Sequence, residues 1–163
     1  MKYAKYLAIT SLVISFDQVT KLYFDQNFTL YERFSVITNF FDFTLAYNFG
    51  AAFSFLADQG GWQRWFFTSI SVLVSLGLII WLFKLKDNQK LLALSLSLII
   101  GGAIGNLIDR VLYGYVIDFI LIHWHSRWFY PAFNIADSAI CIGAGLLLLD
   151  SFLHPTSSKA AQR

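Results

Sequence analysis

Apolar residues fall in four long runs along this chain, divided by two broad stretches of mixed polar and aromatic residues and one short polar gap. At a rise of 1.5 Å per residue, about 20 helical residues cross roughly 30 Å of hydrocarbon. The runs predict helices over about 4–24, 65–83, 91–109 and 134–153, leaving two larger outer loops, 25–64 and 110–133. The first loop changes period. Phe41, Phe43, Leu45 and Tyr47 alternate with Asp42, Thr44, Ala46 and Asn48, which predicts a strand with one apolar face. Asn48-Phe49-Gly50 then reads as a turn. The second loop is aromatic from Phe119 to Tyr130 and too broken to span, so it reads as an interfacial loop or helix segment. The expected fold is an all-α membrane protein: four transmembrane helices with a small outward-facing β-sheet, one domain over 1–163.

Composition supports the membrane reading. The chain is 57% hydrophobic and 13% charged, where a soluble domain carries roughly 25% charged residues. Four spans put both termini on one side of the membrane. Lys2, Lys5, Lys84, Lys86, Lys90, Lys159 and Arg163 fall on that side, against Arg33, Arg64, Arg110 and Arg127 on the other. The bias places the termini in the cytoplasm and the larger loops outside. Trp62, Trp65, Trp124 and Trp128 then mark the outer boundary and Trp81 the inner one. The N-terminus has the charge and apolar run of a signal peptide but no small-residue cleavage site, and reads as a retained first span. A net charge of +2 without a basic tract gives no reason to expect nucleic acid. The single cysteine, Cys141, excludes an internal disulfide and reads as a small packed residue.

Acids at membrane depth are costly and call for a reason. Asp17 lies two-thirds of the way along the first helix, and Lys21 shares its face at i+4. A neutralised packing pair is one reading; a part in a site is the other. Asn106, Asp109 and Arg110 stand at i, i+3 and i+4 near the end of the third helix, where a snorkelling helix end is the plainer account. Gly101 and Gly105 make a GxxxG pair, a common packing signal. Asp118 is a lone carboxylate among Val116, Ile117, Phe119 and Ile120, and burial there would raise its pKa. Asp137 follows Asn134 at the start of the fourth helix, as a cap and first-turn acid would. Yet Asp109, Asp118 and Asp137 share the outer end, and Asp17 approaches the same level. Two carboxylates in one site divide their ionisation: one keeps a proton, the other can take one from water. That is the chemistry of peptide hydrolysis with neither metal nor covalent intermediate. His123 and His125 form an H-x-H without a third ligand in view, and no G-x-S-x-G is present.

Five pieces in order resemble bacterial lipoprotein signal peptidase (signal peptidase II): Asp17-Gln18-Val19-Thr20-Lys21, Asn48 through Ser54, Gly101 through Arg110, Gly114 through Phe119, and Phe133 through Ser138. The resemblance covers nearly the whole chain. It implies an aspartyl endopeptidase of the bacterial cytoplasmic membrane that removes the signal peptide from diacylglyceryl-modified prolipoproteins. By position, Asp118 and Asp137 match the catalytic pair. Asp17, Lys21, Asn48, Asn106, Asp109, Arg110 and Asn134 match supporting positions. The implied partners are lipidated prolipoprotein, the phospholipid bilayer and cyclic peptide inhibitors such as globomycin, with no cofactor, no metal and a monomeric state. On this reading the strand and the Asn48 turn cover the site, and the 119–130 stretch supports the lipid.

Two other classes compete. A small ion or solute transporter would hold its acids near the midplane and show repeated halves, and neither is seen. A non-catalytic membrane subunit would use the same acids only as caps and pairs.

Overall fold

The computed structural model describes residues 3–50, 62–125 and 127–154. Within them lie α1 (Ala4–Asn27), β1 (Arg33–Ile37), β2 (Phe41–Asn48), α2 (Trp62–Lys84), α3 (Lys90–Leu112), β3 (Val116–Trp124), β4 (Trp128–Phe129) and α4 (Ile135–Leu153). The Ala51–Ser54 part of the second motif, and Lys2, Lys159 and Arg163, lie outside the described residues.

Among the described residues, three helices are long and apolar enough to cross a bilayer: Arg64–Lys84, Lys90–Leu112 and Ile135–Leu153. The sequence reading counts four, and α1 falls short by composition because Asp17, Gln18, Lys21 and Asp25 lie on it. Its 24 residues nevertheless reach about 36 Å. Asp17 and Lys21 are buried within the bundle, while Leu12, Phe16 and Val19 are exposed, so the outward surface of α1 at this level is apolar.

α3 is the hub, packing against α1, α2 and α4. Small residues permit this. A methyl on Gly101 would meet Val13 of α1 at 2.8 Å. One on Gly102 would overlap the Ala136 carbonyl of α4, and one on Gly143 would fall 2.8 Å from the Ser95 carbonyl of α3. The GxxxG spacing is thus one part of the arrangement. Gly101 and Gly102 face different neighbours, and Gly105 meets Asp17 and Ala136. At the end of the bundle away from the sheet the core is apolar: Tyr6, Leu82, Leu85, Leu92, Ala93, Leu96 and Ile100.

The other end carries a four-stranded antiparallel sheet of order β1-β2-β3-β4. The predicted strand over 41–48 is β2, but its faces are not simply apolar and polar. Asp42, Thr44 and Leu45 are buried, whereas Phe41, Phe43 and Tyr47 are half-buried. The reason is a register shift. Phe43 pairs with Ile120, but Ala46 pairs with Asp118, so an extra residue is accommodated between them. A one-residue slip exchanges the faces of a strand, and here it puts Ala46 and Asn48 on the face that bears Asp118. The 119–130 stretch, expected as an interfacial loop or helix, is instead β3 and β4. The β-branched residues Val116, Ile117, Ile120 and Ile122, with Phe119 and Trp124, favour the extended chain once β2 is available to pair.

α3 ends where Tyr113 and Gly114 both donate to the Asp109 carbonyl. Gly114 has φ +87°, a conformation open to glycine and strained for side chains. This turn sends the chain into β3 and brings Asp118 back over the helix ends.

Candidate active site

The first turn of α4 anchors the site. Asn134 is its N-cap: the Asn134 Oδ1 accepts from the Asp137 backbone N–H at 2.9 Å, and Asp137 Oδ2 accepts from the Asn134 N–H at 3.2 Å. Asp137 is therefore a capping residue, as its position suggests. It also has a second oxygen, Oδ1, which accepts from Asn106 Nδ2 at 2.8 Å, and it lines an open pocket.

Because the Asn134 oxygen is taken by the cap, its amide nitrogen must point the other way. It donates to Asp118 Oδ1 at 2.8 Å, with Asn106 Oδ1 and the Ile117 carbonyl at 3.1 and 3.2 Å. Asn48 Nδ2 donates to the remaining oxygen, Asp118 Oδ2, at 3.2 Å. The Asn48 Oδ1 accepts from the Gly50 N–H at 3.1 Å, so the expected turn is present and is closed by the side chain that reaches Asp118.

Asn106 is oriented by a cation. Lys21 Nζ can only donate, and it sits 2.8 Å from Asn106 Oδ1. The Asn106 nitrogen is thereby turned toward Asp137. Lys21 also pairs with Asp17 and Asp109, each at 2.8 Å, with all three side chains almost fully buried. The two acids have further donors. Asp17 Oδ1 accepts from the Ala136 N–H in the first turn of α4 at 2.9 Å, and Asp109 Oδ2 accepts from the Ile117 N–H of β3 at 3.1 Å. Gln18 Nε2 bridges Asp17 Oδ2, Asp109 Oδ1 and the Gly105 carbonyl. One polar seam thus ties α1, α3, β3 and the start of α4.

Arg110 lies near the acids and lines the pocket, its guanidinium 3.4 Å from the Gly50 carbonyl. The pocket has a volume of about 220 Å³. Polar groups from Asn48, Asn106, Arg110 and Asp137 face apolar walls that include Phe133 and Ile140. Cys141, expected to be packed, is exposed and forms part of this wall, because it follows Asp137 by one helical turn. Asp118 is only 2% exposed. Burial pushes its carboxyl up to about 8, the charge of Asp137 adds to this, and the hydrogen bonds from Asn48 and Asn134 together with Lys21 hold it back. His123 and His125 are elsewhere. His123 is buried in the sheet, 3.2 Å from Asp42, with its ring stacked on Phe129.

All nine residues singled out in the sequence come together at the sheet end. Three contributors were not among them: Gln18, the backbone N–H of Ala136 and the close-packing Gly102. Gln18 carried a signal, being a third polar side chain beside Asp17 and Lys21 in an apolar helix. The other two depend on tertiary approach and left none.

A family model described as signal peptidase (SPase) II matches residues 9–153. The lipoprotein signal peptidase of Ectopseudomonas mendocina is 54% identical over 156 residues, covering 96% of this chain and 92% of the relative. That of Pseudomonas aeruginosa strain PAO1 is 53% identical over the same shares of each chain. A solved structure of a bacterial membrane enzyme superposes with a TM-score of 0.82 at 33% identity, covering 98% of this chain and 93% of the other. With the family model spanning most of its length and relatives above half identity, this chain belongs to the signal peptidase II family.

Proposed function

We propose that Asp118 and Asp137 are the catalytic pair of an aspartyl endopeptidase that cleaves diacylglyceryl-modified prolipoproteins just before the lipidated cysteine. The observation that carries this reading is the treatment of the two carboxyls. Each is held by an asparagine amide whose orientation is set by another group, and neither has a salt bridge among the described residues. Oriented carboxyls without a bound cation keep their proton affinity for chemistry.

Asp118, the more buried, holds a proton at neutral pH, and Asp137 serves as the base. Water between them attacks the scissile carbonyl carbon. Asp137 takes the water's proton while Asp118 donates its hydrogen bond to the carbonyl oxygen. As the C–N bond breaks, Asp137 passes its proton to the leaving amine, and both carboxyls return to their starting states. Asn48 and Arg110 at the rim bind peptide carbonyls. The protein is a monomer of the bacterial cytoplasmic membrane with α1 as a fourth span, termini inside and the sheet end at the outer face. A lipid-anchored scissile bond lies at that depth, and apolar walls beside Asp137 suit the acyl-bearing residue. Cyclic peptides such as globomycin would compete for the same pocket.

The test is cleavage of a lipidated prolipoprotein by purified wild type, Asp118→Asn and Asp137→Asn, each confirmed by a cooperative melt to be folded at the assay temperature. Loss of cleavage in both folded variants, by about a thousandfold or more, is expected. Near wild-type activity in either would remove that residue from the pair.

A further inference from the structure

Residues just outside the polar seam form a second contact that bears on the site. Tyr47, next to Asn48 on β2, donates its hydroxyl to Asp25 Oδ1 at 2.8 Å, near the end of α1. Its ring stacks on Tyr115 at 4.2 Å between centroids and 29° between planes. Tyr115 in turn stacks on Tyr113 at 6.0 Å and meets Phe49 edge-on at 5.3 Å. These residues flank the site on both chain segments. Tyr47 and Phe49 bracket Asn48, and Tyr113 and Tyr115 bracket Gly114, where α3 turns into β3.

Successive side chains of a strand point to opposite faces. Tyr47 therefore grips α1 and the α3–β3 turn from one face while Asn48 points to Asp118 from the other. Tyr47 pairs with Ile117 and Asn48 with Val116, so the grip acts one residue from Asn48 and within three of Asp118. The chain after Asn48 leaves the strand; the Asx contact to Gly50 orients the amide, and Gly50 itself meets the bundle through a long 3.4 Å contact from Arg110.

We propose that Asp25, Tyr47 and Tyr115 are positioning residues: together they fix the end of β2 so that the Asn48 amide stays on Asp118. The proposal rests on the catalytic reading of Asp118. None of the three touches the reacting groups. Asp118 is faced by Asp137 from α4, Lys21 from α1 and Arg110 from α3, in addition to the amides of Asn48 and Asn134. Only the Asn48 contact depends on the end of β2. The Asn48 bond favours the ionised carboxylate, so loosening it makes Asp118 hold its proton to higher pH.

The experiment is the pH–rate profile of prolipoprotein cleavage for wild type, Tyr47→Phe, Asp25→Ala, Asp25→Asn and the Tyr47→Phe/Asp25→Ala double variant. Tyr47→Phe keeps the stack and removes the hydroxyl. It is expected to lower kcat about three- to tenfold, with little change in KM, and to move the alkaline limb up by about half a pH unit. Asp25→Ala should do the same. Asp25→Asn, which still offers an acceptor to Tyr47, should recover most of the rate. The double variant should be no worse than either single one, because both break one contact. Wild-type rate and limb in Tyr47→Phe and Asp25→Ala would overturn the proposal. So would a loss of rate that matches a loss of folded protein while the limb stays in place. If Tyr47→Phe does not fold, the Asp25→Ala and Asp25→Asn pair decides by the same two readouts. Asp118→Asn runs alongside: an active Asp118→Asn enzyme would instead overturn the catalytic reading itself.

Discussion

Two carboxylate pairs sit at the sheet end of the bundle, on overlapping elements, and they are built differently. Asp17 and Asp109 share Lys21, and each also accepts a backbone N–H and Gln18. Every one of their oxygens is engaged, and no part of them faces the pocket. Asp118 and Asp137 have asparagine amides and a helix cap but, among the described residues, no salt bridge, and Asp137 opens on the pocket. A carboxylate whose oxygens are all taken by an ammonium and N–H groups has no room for a substrate or an attacking water. One held by an amide is oriented and keeps that room. On the proposed function the inner pair is scaffolding and the outer pair reacts, although a count of acids does not separate them.

Exchanging the chemistry of the two pairs should break this comparison most sharply. Asparagine at Asp118 or Asp137 should abolish cleavage and leave a folded protein. Lys21→Met should instead strike the stability of the fold. It leaves two buried carboxylates without their cation, a loss of about 3–5 kcal/mol, and it frees Asn106 to turn its oxygen toward Asp137. Thermal melting in detergent should show a large drop for Lys21→Met. Adding Asp109→Asn should recover part of it, since one carboxylate then remains for Gln18 and the Ala136 N–H. A Lys21→Met protein that melts like wild type would mean that the inner pair is not held by its cation.

Between the two pairs stands the approach of α3 to α4, and it can be opened without touching an acid. At Gly102 an added methyl overlaps the Ala136 carbonyl, which is backbone and cannot yield. Ala136 is flanked in the first turn of α4 by Ile135 and Asp137 and gives its N–H to Asp17. Gly102→Ala should therefore push α4 outward, lengthen the Asn106–Asp137 bond and lower kcat about ten- to a hundredfold. Gly145→Ala is the control, because nothing lies within 4 Å of its added methyl. It should leave cleavage unchanged and raise stability by up to about 1 kcal/mol.

Much of this was legible in the residues. Apolar run length placed the helices to within a few residues, and the rule that buried charge needs a reason picked out Asp17, Asp109, Asp118 and Asp137. The period of two found β2. What could not be read was how elements meet. The register shift that gives Asn48 and Asp118 a common face arises only when β2 pairs with β3. The β3 stretch is so aromatic that it reads as an interface segment until a partner strand is supplied. The division of labour among the acids was equally hidden. Asp17 and Asp109 lie 92 positions apart, and the lysine they share is assigned only by the folded bundle. The double role of Asp137 shows the same limit: its cap was readable from Asn134, and its other oxygen was not.

The outer pair can also be tested without an activity assay, through the dependence of stability on pH. Asp118 is pushed up to about 8 in the folded protein from an ordinary value of 3.8. Between those values the unfolded chain is ionised at this position while the folded one keeps its proton. The unfolded state thus binds fewer protons, and stability falls as pH rises through the window, by up to about 1.4 kcal/mol per unit from this group. Above about 8 both states are ionised and the slope ends. Asp118→Asn carries no such slope. Its amide must place a donor against Asn48 or Asn134, which costs stability at every pH, so the difference between the two proteins is the informative quantity. Melting curves in detergent from pH 5 to 9 should show the variant gaining on wild type up to about pH 8 and running parallel beyond it. A constant gap across the whole range would mean that Asp118 ionises in the folded protein as an ordinary aspartate does, and the proton that the proposed hydrolysis draws on would not be there.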